Sequence, residues 1–330
     1  MEGKVRFGII GTNWITDQFL ESGREIGAFE LAAVYSRTEE RAREYAGKHG
    51  AAHAYTSFEA FAGSGEFDAV YIASPNSLHA EQAIRCMDGG KHVLCEKPAA
   101  SNAREFRAMM EAARRNGVVL MEAMKSTLMP NFRAIREHLP KLGPIRRYTA
   151  GYCQYSSRYD AYQRGERPNA FNPVFSNGAL MDLGVYGLYP LVVLFGKPDA
   201  LKASGVMLDS GVDGAGSILL QYPSMDAVVT YSKITDSALP SEIQGENGSM
   251  IIERISRPSK VEIRYRDGRT EDVSVPQSES VMRYEIEEFI RLALTGQAES
   301  ETNSHVHSLL TLELADEARR QLGLVFPADR

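Results

Sequence analysis

The 330-residue chain has only three cysteines, Cys86, Cys95 and Cys153, with no CxxC spacing among them. An odd and scattered set excludes a disulfide framework and reads as reduced thiols filling a core. The seven histidines form no HExxH or comparable pattern, and only His305 and His307 lie close together, so no metal is implied. No run of about 18 uninterrupted apolar residues offers a membrane span. Met1-Glu2-Gly3-Lys4 passes straight into a strand-like run, with no room for a signal peptide. These absences lead to the expectation of a cytoplasmic protein without a membrane partner. Charge of one sign is not in large excess either. The 37 basic and 43 acidic side chains leave a net charge of −6, and no basic run or basic–aromatic stripe offers a nucleic-acid footprint.

What is present is ordinary globular text, 43% hydrophobic and 24% charged. Its length favours two domains. Val5-Arg6-Phe7-Gly8-Ile9-Ile10 is a strand, and Gly11-Thr12-Asn13-Trp14-Ile15 turns it into a helix. Such a turn lets backbone N–H groups meet a pyrophosphate at the helix N-terminus. Two of the three glycines of a GxGxxG pattern are missing, and Asn13 is expected to make the turn because asparagine tolerates the left-handed conformation. A second strand, Leu31-Ala32-Ala33-Val34-Tyr35, ends in Ser36-Arg37 with no carboxylate before Glu39. An acid at that place favours NAD and an arginine accommodates a 2′-phosphate, so NADP(H) is expected over NAD(H). The alternation continues through Ala69-Val70-Tyr71-Ile72-Ala73, which ends in Ser74-Pro75-Asn76 ahead of a helix carrying His79. It then passes through His92-Val93-Leu94-Cys95, which ends in Glu96-Lys97-Pro98. Asn102 and Glu105 have capping-box spacing for a helix to about residue 116, and Val118-Val119-Leu120-Met121-Glu122 is one more strand. Apolar strands alternating with helices predict a doubly wound parallel sheet, with three successive strand ends carrying polar residues to one edge.

Past residue 123 the pattern changes. Pro130 and Pro140 bracket a helix. Alternating β-branched text then predicts strands at 147–155, 202–207, 217–222, 227–235, 242–245, 249–255 and 260–265, with Gly245-Glu246-Asn247-Gly248 and Arg266-Asp267-Gly268 as turns. Helices are predicted at 279–294 and 307–322. The expectation is a Rossmann domain over 1–123 and an α+β domain over 124–330 with a large, open, mostly antiparallel sheet. The last helix is expected to pack back on the first domain. Such a sheet has two faces, and one helix layer covers one of them, so a homodimer or homotetramer through the other is expected. Within this domain, helical spacing from Leu180 puts Asp182 and Tyr186 on one face. That pair suits proton handling or gripping a polyol, and equally an ordinary N-terminal acid with a packed aromatic. The loop 154–175 carries Tyr155, Arg158, Phe171 and Asn172, candidates for substrate contact.

Several ordered motifs resemble the glucose–fructose oxidoreductase, inositol dehydrogenase and MocA family (Gfo/Idh/MocA) over nearly the whole chain. They are Gly8-Ile9-Ile10-Gly11, Ser74-Pro75-Asn76 with His79, Gly90-Lys91-His92-Val93-Leu94-Cys95-Glu96-Lys97-Pro98, and Gly178-Ala179-Leu180-Met181-Asp182-Leu183-Gly184-Val185-Tyr186. The resemblance implies an active site between two domains, with Lys97 as the catalytic lysine and Asp182 and Tyr186 as the Asp-x-Gly-x-His/Tyr element. Tyrosine at 186 resembles glucose–fructose oxidoreductases and dihydrodiol or pentose dehydrogenases more than inositol dehydrogenases. Ser176-Asn177-Gly178 replaces a glycine triplet of the family.

The implied activity is reversible hydride transfer between a nicotinamide and a sugar-like or polyol carbon. Tyr186 would move the proton. An ordinary phenol has a pKa of about 10, which a cation within about 4–6 Å would lower. Lys97 is the expected cation, and Asp182 would hold a neighbouring hydroxyl or orient Lys97. Glu96 would fix the lysine or touch the nicotinamide, and Gly11, Thr12, Asn13, Trp14, Ile15, Ser36, Arg37, Ser74, Pro75, Asn76 and His79 would line the cofactor. Oxidation of a trans-dihydrodiol or reduction of a dicarbonyl is the alternative chemistry. A nicotinamide-binding sensor without turnover is the alternative class.

Overall fold

The structure is a computed structural model and describes residues 3–330. By compactness the chain divides into two units. One is the chain up to Lys125 together with Ser278–Ser308, and the other is Ser126–Gln277 together with Leu309–Arg330.

The first unit is built on β1 (Val5–Ile10), β2 (Phe29–Tyr35), β3 (His53–Tyr55), β4 (Ala69–Ile72), β5 (His92–Glu96) and β6 (Leu120–Ala123). All neighbours are parallel, in the order β3-β2-β1-β4-β5-β6. Helices are needed to return the chain between parallel strands, so the strands are covered on both faces and read as continuous apolar runs. The order reverses between β1 and β4, where such sheets open a crevice at their carboxyl ends. There the Ala73 N–H donates to Ile10 O at 2.8 Å, bringing the two strand ends side by side. The helix Arg283–Thr295 belongs to this unit, with Phe289 against Phe7 at 5.7 Å and Ser280 bonded to Ser22 at 2.9 Å. The sequence assigns this segment to the second domain and lets the last helix return instead. An amphipathic stripe shows that a face is buried, but not against which partner.

The second unit carries β7 (Ile145–Cys153), β8 (Ala200–Met207), β9 (Asp213–Gln221), β10 (Asp226–Ser232), β11 (Ser241–Gly245), β12 (Gly248–Ile252), β13 (Val261–Tyr265) and β14 (Thr270–Asp272). Their order is β14-β13-β12-β11-β7-β10-β9-β8, antiparallel except between β7 and β10. One sheet face is buried through Tyr148, Ile218, Leu220, Val229, Tyr231, Ile243 and Met250, as period-two alternation requires. The helix Val185–Phe195 lies on it. Tyr148 OH donates to Gly187 O at 3.0 Å, and a Cβ at Gly187 would stand 2.6 Å from Val229 Cγ1, so only glycine allows this approach. The stretch Pro173–Phe195 is long and apolar enough to cross a membrane, yet most of it is buried inside the fold as core.

Candidate active site

In the first unit, the carboxyl ends of β1, β4 and β5 converge. Gly11 adopts φ +102°, and a Cβ there would overlap Ala73 O, which explains why this one glycine of the motif is retained. Asn13 does not occupy the left-handed region expected of it. Its φ of −120° and ψ of 178° are extended, and it is the N-cap of the helix Trp14–Arg24. Asn13 Oδ1 accepts from Ile15 N at 3.1 Å and Thr16 N at 3.3 Å, while Nδ2 donates to Ala73 O at 2.8 Å. Capping, rather than a positive φ, is how asparagine substitutes for glycine here. Trp14 is 69% exposed at the start of that helix. Arg37 stands exposed next to Ser36 after β2. Arg41 ties the following helix to the turn, with Nε on Thr12 Oγ1 at 3.0 Å and Nη2 on Thr12 O at 2.7 Å.

Ser74 Oγ donates to Gln82 Oε1 at 2.6 Å, and buried His79 spans two turns. Its Nδ1 is 2.9 Å from Pro98 O and its Nε2 2.8 Å from Ser74 O. Two carbonyls would suit an imidazolium, but burial outweighs them and lowers the His79 pKa. The ring is therefore neutral near pH 7, and one of the two contacts is an N–H donation. Both ring nitrogens face backbone, so His79 joins the turn after β4 to the turn after β5. Pro75 and Asn76, which follow Ser74, are half-buried.

The end of β5 is held from below. Tyr71 OH donates to Glu96 Oε1 at 2.6 Å, and the Tyr71 ring stacks on Phe19 at 3.7 Å. Burial, with the Glu96 charge second, holds the Tyr71 phenol well above its ordinary pKa, so it stays a donor. Glu96 Oε2 accepts from the Lys97 N–H at 3.2 Å. The Lys97–Pro98 bond is cis, and Lys97 is half-buried. Buried Glu122 accepts from Ala99 N at 3.0 Å, and burial pushes its carboxyl up to about 7.

In the second unit the segment carrying Asp182 and Tyr186 is not regular α-helix. Leu180–Gly184 forms a wider turn in which the Val185 N–H bonds Leu180 O, five residues back. Single wide turns of this kind recur at functional sites. The α-helix proper starts at Val185. Asp182 Oδ2 accepts from Lys233 Nζ at 2.7 Å, and Tyr186, 7% exposed, meets Tyr152 edge-on at 5.5 Å. Of the loop candidates, Phe171 is buried under Lys233, with the ammonium 5.4 Å from its ring centroid. Asn172 caps a short helix by accepting from Val174 N at 3.0 Å, and Tyr155 OH donates to Asp160 at 2.6 Å. Arg158 is exposed.

Two family models cover most of the chain. An oxidoreductase family model with an NAD-binding Rossmann fold, GFO_IDH_MocA, matches residues 5–124, and a GFO/IDH/MocA C-terminal domain model matches residues 132–251. The chain belongs to the Gfo/Idh/MocA family. It is 57% identical to the scyllo-inositol 2-dehydrogenase (NADP(+)) IolU of Bacillus subtilis (strain 168), over 99% of each chain. It is 32% identical to a trans-1,2-dihydrobenzene-1,2-diol dehydrogenase of Danio rerio, over 98% of this chain and 99% of that one. Among solved structures it resembles KijD10, a 3-ketoreductase from Actinomadura kijaniata in complex with NADP and TDP-benzene. The TM-score there is 0.84 at 25% identity, over 97% of this chain and 98% of that one. Tyrosine at 186, which resembles dihydrodiol or pentose dehydrogenases more than inositol dehydrogenases, stands in a chain that is similar to relatives of both names. A nicotinamide dinucleotide fits the first unit on its own geometry. Bare backbone at Gly11 precedes the N-terminus of the helix Trp14–Arg24, and exposed Arg37 follows β2, the strand after whose end an arginine accommodates a 2′-phosphate in folds of this kind.

Three buried ionisable residues near the candidate positions escape sequence inspection. Asp213 and Lys233 stand far along the chain from the segment they hold. Glu285 reads as an ordinary acid of an amphipathic helix, yet it is fully buried, with no hydrogen-bond partner on either carboxyl oxygen among the described residues. Burial, with Glu96 second, holds its pKa well above the carboxylate range, and Lys125 offsets only part of this. A carboxyl whose pKa is raised on folding costs stability as pH rises above its unfolded value. Glu285→Met is therefore expected to stabilise the protein by about 1–3 kcal/mol at pH 8 and to do much less at pH 4.5. Urea unfolding at the two pH values reads this directly. An equal effect at both would mean that ionisation of Glu285 is not what folding opposes.

Proposed function

We propose that the chain is an NADP(H)-dependent dehydrogenase of cyclic polyols, oxidising one ring carbinol to a ketone and reversing that reaction. The observation that carries this reading is 57% identity over 99% of each chain to a scyllo-inositol 2-dehydrogenase that uses NADP(+). Bound NADP(H) supplies the hydride acceptor or donor. The chain supplies the remainder. As a carbinol is oxidised its hydroxyl proton has to leave, and as a ketone is reduced its oxygen has to be protonated. Tyr186 exchanges that proton. Lys97 hydrogen-bonds the same oxygen as charge develops on it. Asp182 accepts from the adjacent hydroxyl, which every polyol ring provides. Glu96, fixed by Tyr71 and bonded to the Lys97 N–H, sets the direction in which Lys97 leaves β5. Gly11, Thr12, Asn13, Trp14, Ile15, Ser36, Arg37, Ser74, Pro75, Asn76 and His79 form or brace the cofactor cradle.

The test is a panel of scyllo-inositol, myo-inositol, glucose and a trans-dihydrodiol with NADP⁺ and NAD⁺, followed by reduced-nicotinamide absorbance. Fastest turnover of an inositol with NADP⁺ is expected. Preference for the dihydrodiol, the reading favoured by the 32% relative, would replace the polyol assignment. Copies of the chain are further proposed to pair through the outer face of the second sheet, where Val206 and Leu219 stand 55% and 56% exposed. Light scattering on the wild type and on Leu219→Lys reads this: an oligomer is expected to dissociate in the variant.

A further inference from the structure

Lys233 follows β10 directly and is among the least exposed charged groups of the chain, with a side chain 4% exposed. Its backbone is fixed on both sides. The Lys233 N–H donates to Gly214 O at 2.8 Å, and Lys233 O accepts from Ser156 N at 2.8 Å. The stem carries the ammonium inward to Asp182 Oδ2 at 2.7 Å, with Ala170 O 3.4 Å away and the Phe171 ring below it. Phe171 is in turn packed on Tyr159 at 5.6 Å and Tyr162 at 5.3 Å. A buried ammonium without an anion is too costly to keep, and a structural pair of this burial is replaceable by apolar side chains of similar volume. The geometry serves a purpose that such a replacement would lose. One cation joins the wide turn that carries Asp182 to the loop of Ala170 and Phe171.

We infer that Lys233 is the positioning residue that holds Asp182 as an oriented anion and locks the 154–175 loop to it. This rests on the reading above, in which Asp182 meets the substrate. An ionised carboxylate only accepts, at up to about four sites, so a bond to Lys233 still lets it take a hydroxyl hydrogen. It has no proton to give. Asp182 therefore grips the hydroxyl next to the reacting carbon, and the transferred proton falls to Tyr186. Specificity follows. Compounds that lack the adjacent hydroxyl leave the Asp182–Lys233 pair facing an apolar carbon and are rejected.

The test compares Lys233→Met, Lys233→Arg, Asp182→Asn and the double variant Lys233→Met/Asp182→Asn. The readouts are kcat and KM with scyllo-inositol and NADP⁺, NADPH affinity by fluorescence titration, and melting temperature. Lys233→Met is expected to lower kcat/KM about 10²-fold, the scale of a small misplacement of a substrate-gripping group. NADPH affinity should be unchanged, because the cradle lies in the first unit. Lys233→Arg should recover part of the loss, and the double variant should be no worse than Asp182→Asn alone. A purely structural lysine would instead lower the melting temperature while leaving kcat/KM of the folded fraction intact, and that result overturns the inference. So do losses that multiply in the double variant. Wild-type kcat/KM in Asp182→Asn overturns this inference and the role of Asp182 in the proposed function together. An impaired Asp182→Asn beside an unimpaired Lys233→Met overturns this inference alone. If Lys233→Met unfolds at assay temperature, Lys233→Arg/Asp182→Asn decides: equality with Asp182→Asn supports the inference, and multiplied losses overturn it.

Discussion

Replacing Lys97 by methionine will leave a folded protein that binds NADPH and turns substrate over about 10²–10³ times more slowly, the usual cost of losing one positioned donor to a developing oxyanion. Methionine keeps the length of the stem, so the fold has little to repack. What disappears is the charge. The Lys97 ammonium acts on Glu122, opposing the burial that pushes that carboxyl up to about 7. Without it Glu122 takes up a proton more readily, and in the proposed mechanism a developing alkoxide loses its positive partner. Cofactor affinity is expected to hold, because Gly11, Asn13 and Arg41 shape their turn through bonds that do not involve Lys97. Lys97→Arg separates charge from geometry. An arginine keeps the positive charge but presents it as a planar fork, so it should restore part of the rate. Stopped-flow absorbance at 340 nm, with NADPH titration and a melting curve on the same sample, measures all three quantities. Turnover near the wild-type rate in the methionine variant would remove Lys97 from the mechanism.

The part of this site that lies on strand ends was legible in the sequence, and the part that lies across strands was not. β5 announces itself as an apolar run broken by Glu96, Lys97 and Pro98, and a parallel sheet needs such runs. Asn102 caps the helix Ala103–Asn116 through Glu105 N at 2.9 Å, as its spacing predicts, because capping is local. Asn13 was legible as a turn residue but not as a cap, since the same residue type serves both and the choice depends on Ala73, sixty residues away. The wide turn at Leu180–Gly184 breaks the 3.6-residue period without a proline to mark it. At Gly184 a Cβ would stand 2.8 Å from Leu180 Cδ1 and 2.9 Å from Tyr231, so close packing on β10, invisible in one dimension, sets that geometry. β3 and β14 are three residues each, too short to show alternation. Lys233 and Asp182 are 51 residues apart, and nothing in either local sequence names the other.

Asp213→Ala is expected to do the most damage to the second unit. Asp213 opens β9, is fully buried, and accepts from Ala179 N at 3.1 Å through Oδ1 and from Leu180 N at 2.7 Å through Oδ2. These are donors of the first turn of the segment that carries Asp182 and Tyr186, and a helical start leaves such N–H groups without intrahelical partners. Gly178, at φ +140°, brings the chain so close that any Cβ would overlap Asp213 Oδ1. Alanine at 213 orphans two buried donors at about 1–3 kcal/mol each, so a loss of roughly 2–6 kcal/mol is expected at pH 7, a large share of ordinary domain stability. Asparagine is expected to be little better, because its amide can accept one N–H but turns its own NH₂ towards the other. Burial raises the Asp213 carboxyl to about 6, against an ordinary 3.8, although the two N–H bonds and Lys233 pull it down. Being raised on folding, it contributes most below pH 4, and its contribution falls as pH climbs to about 6. The gap between wild type and Asp213→Ala should therefore be wider at pH 4 than at pH 7 and level above that. Where the variant is still folded, turnover should fall while NADPH binding, a property of the first unit, persists. Urea unfolding across that pH range with parallel NADPH titration reads both, and a stability gap that widens with rising pH would show that the two N–H groups require the ionised carboxylate.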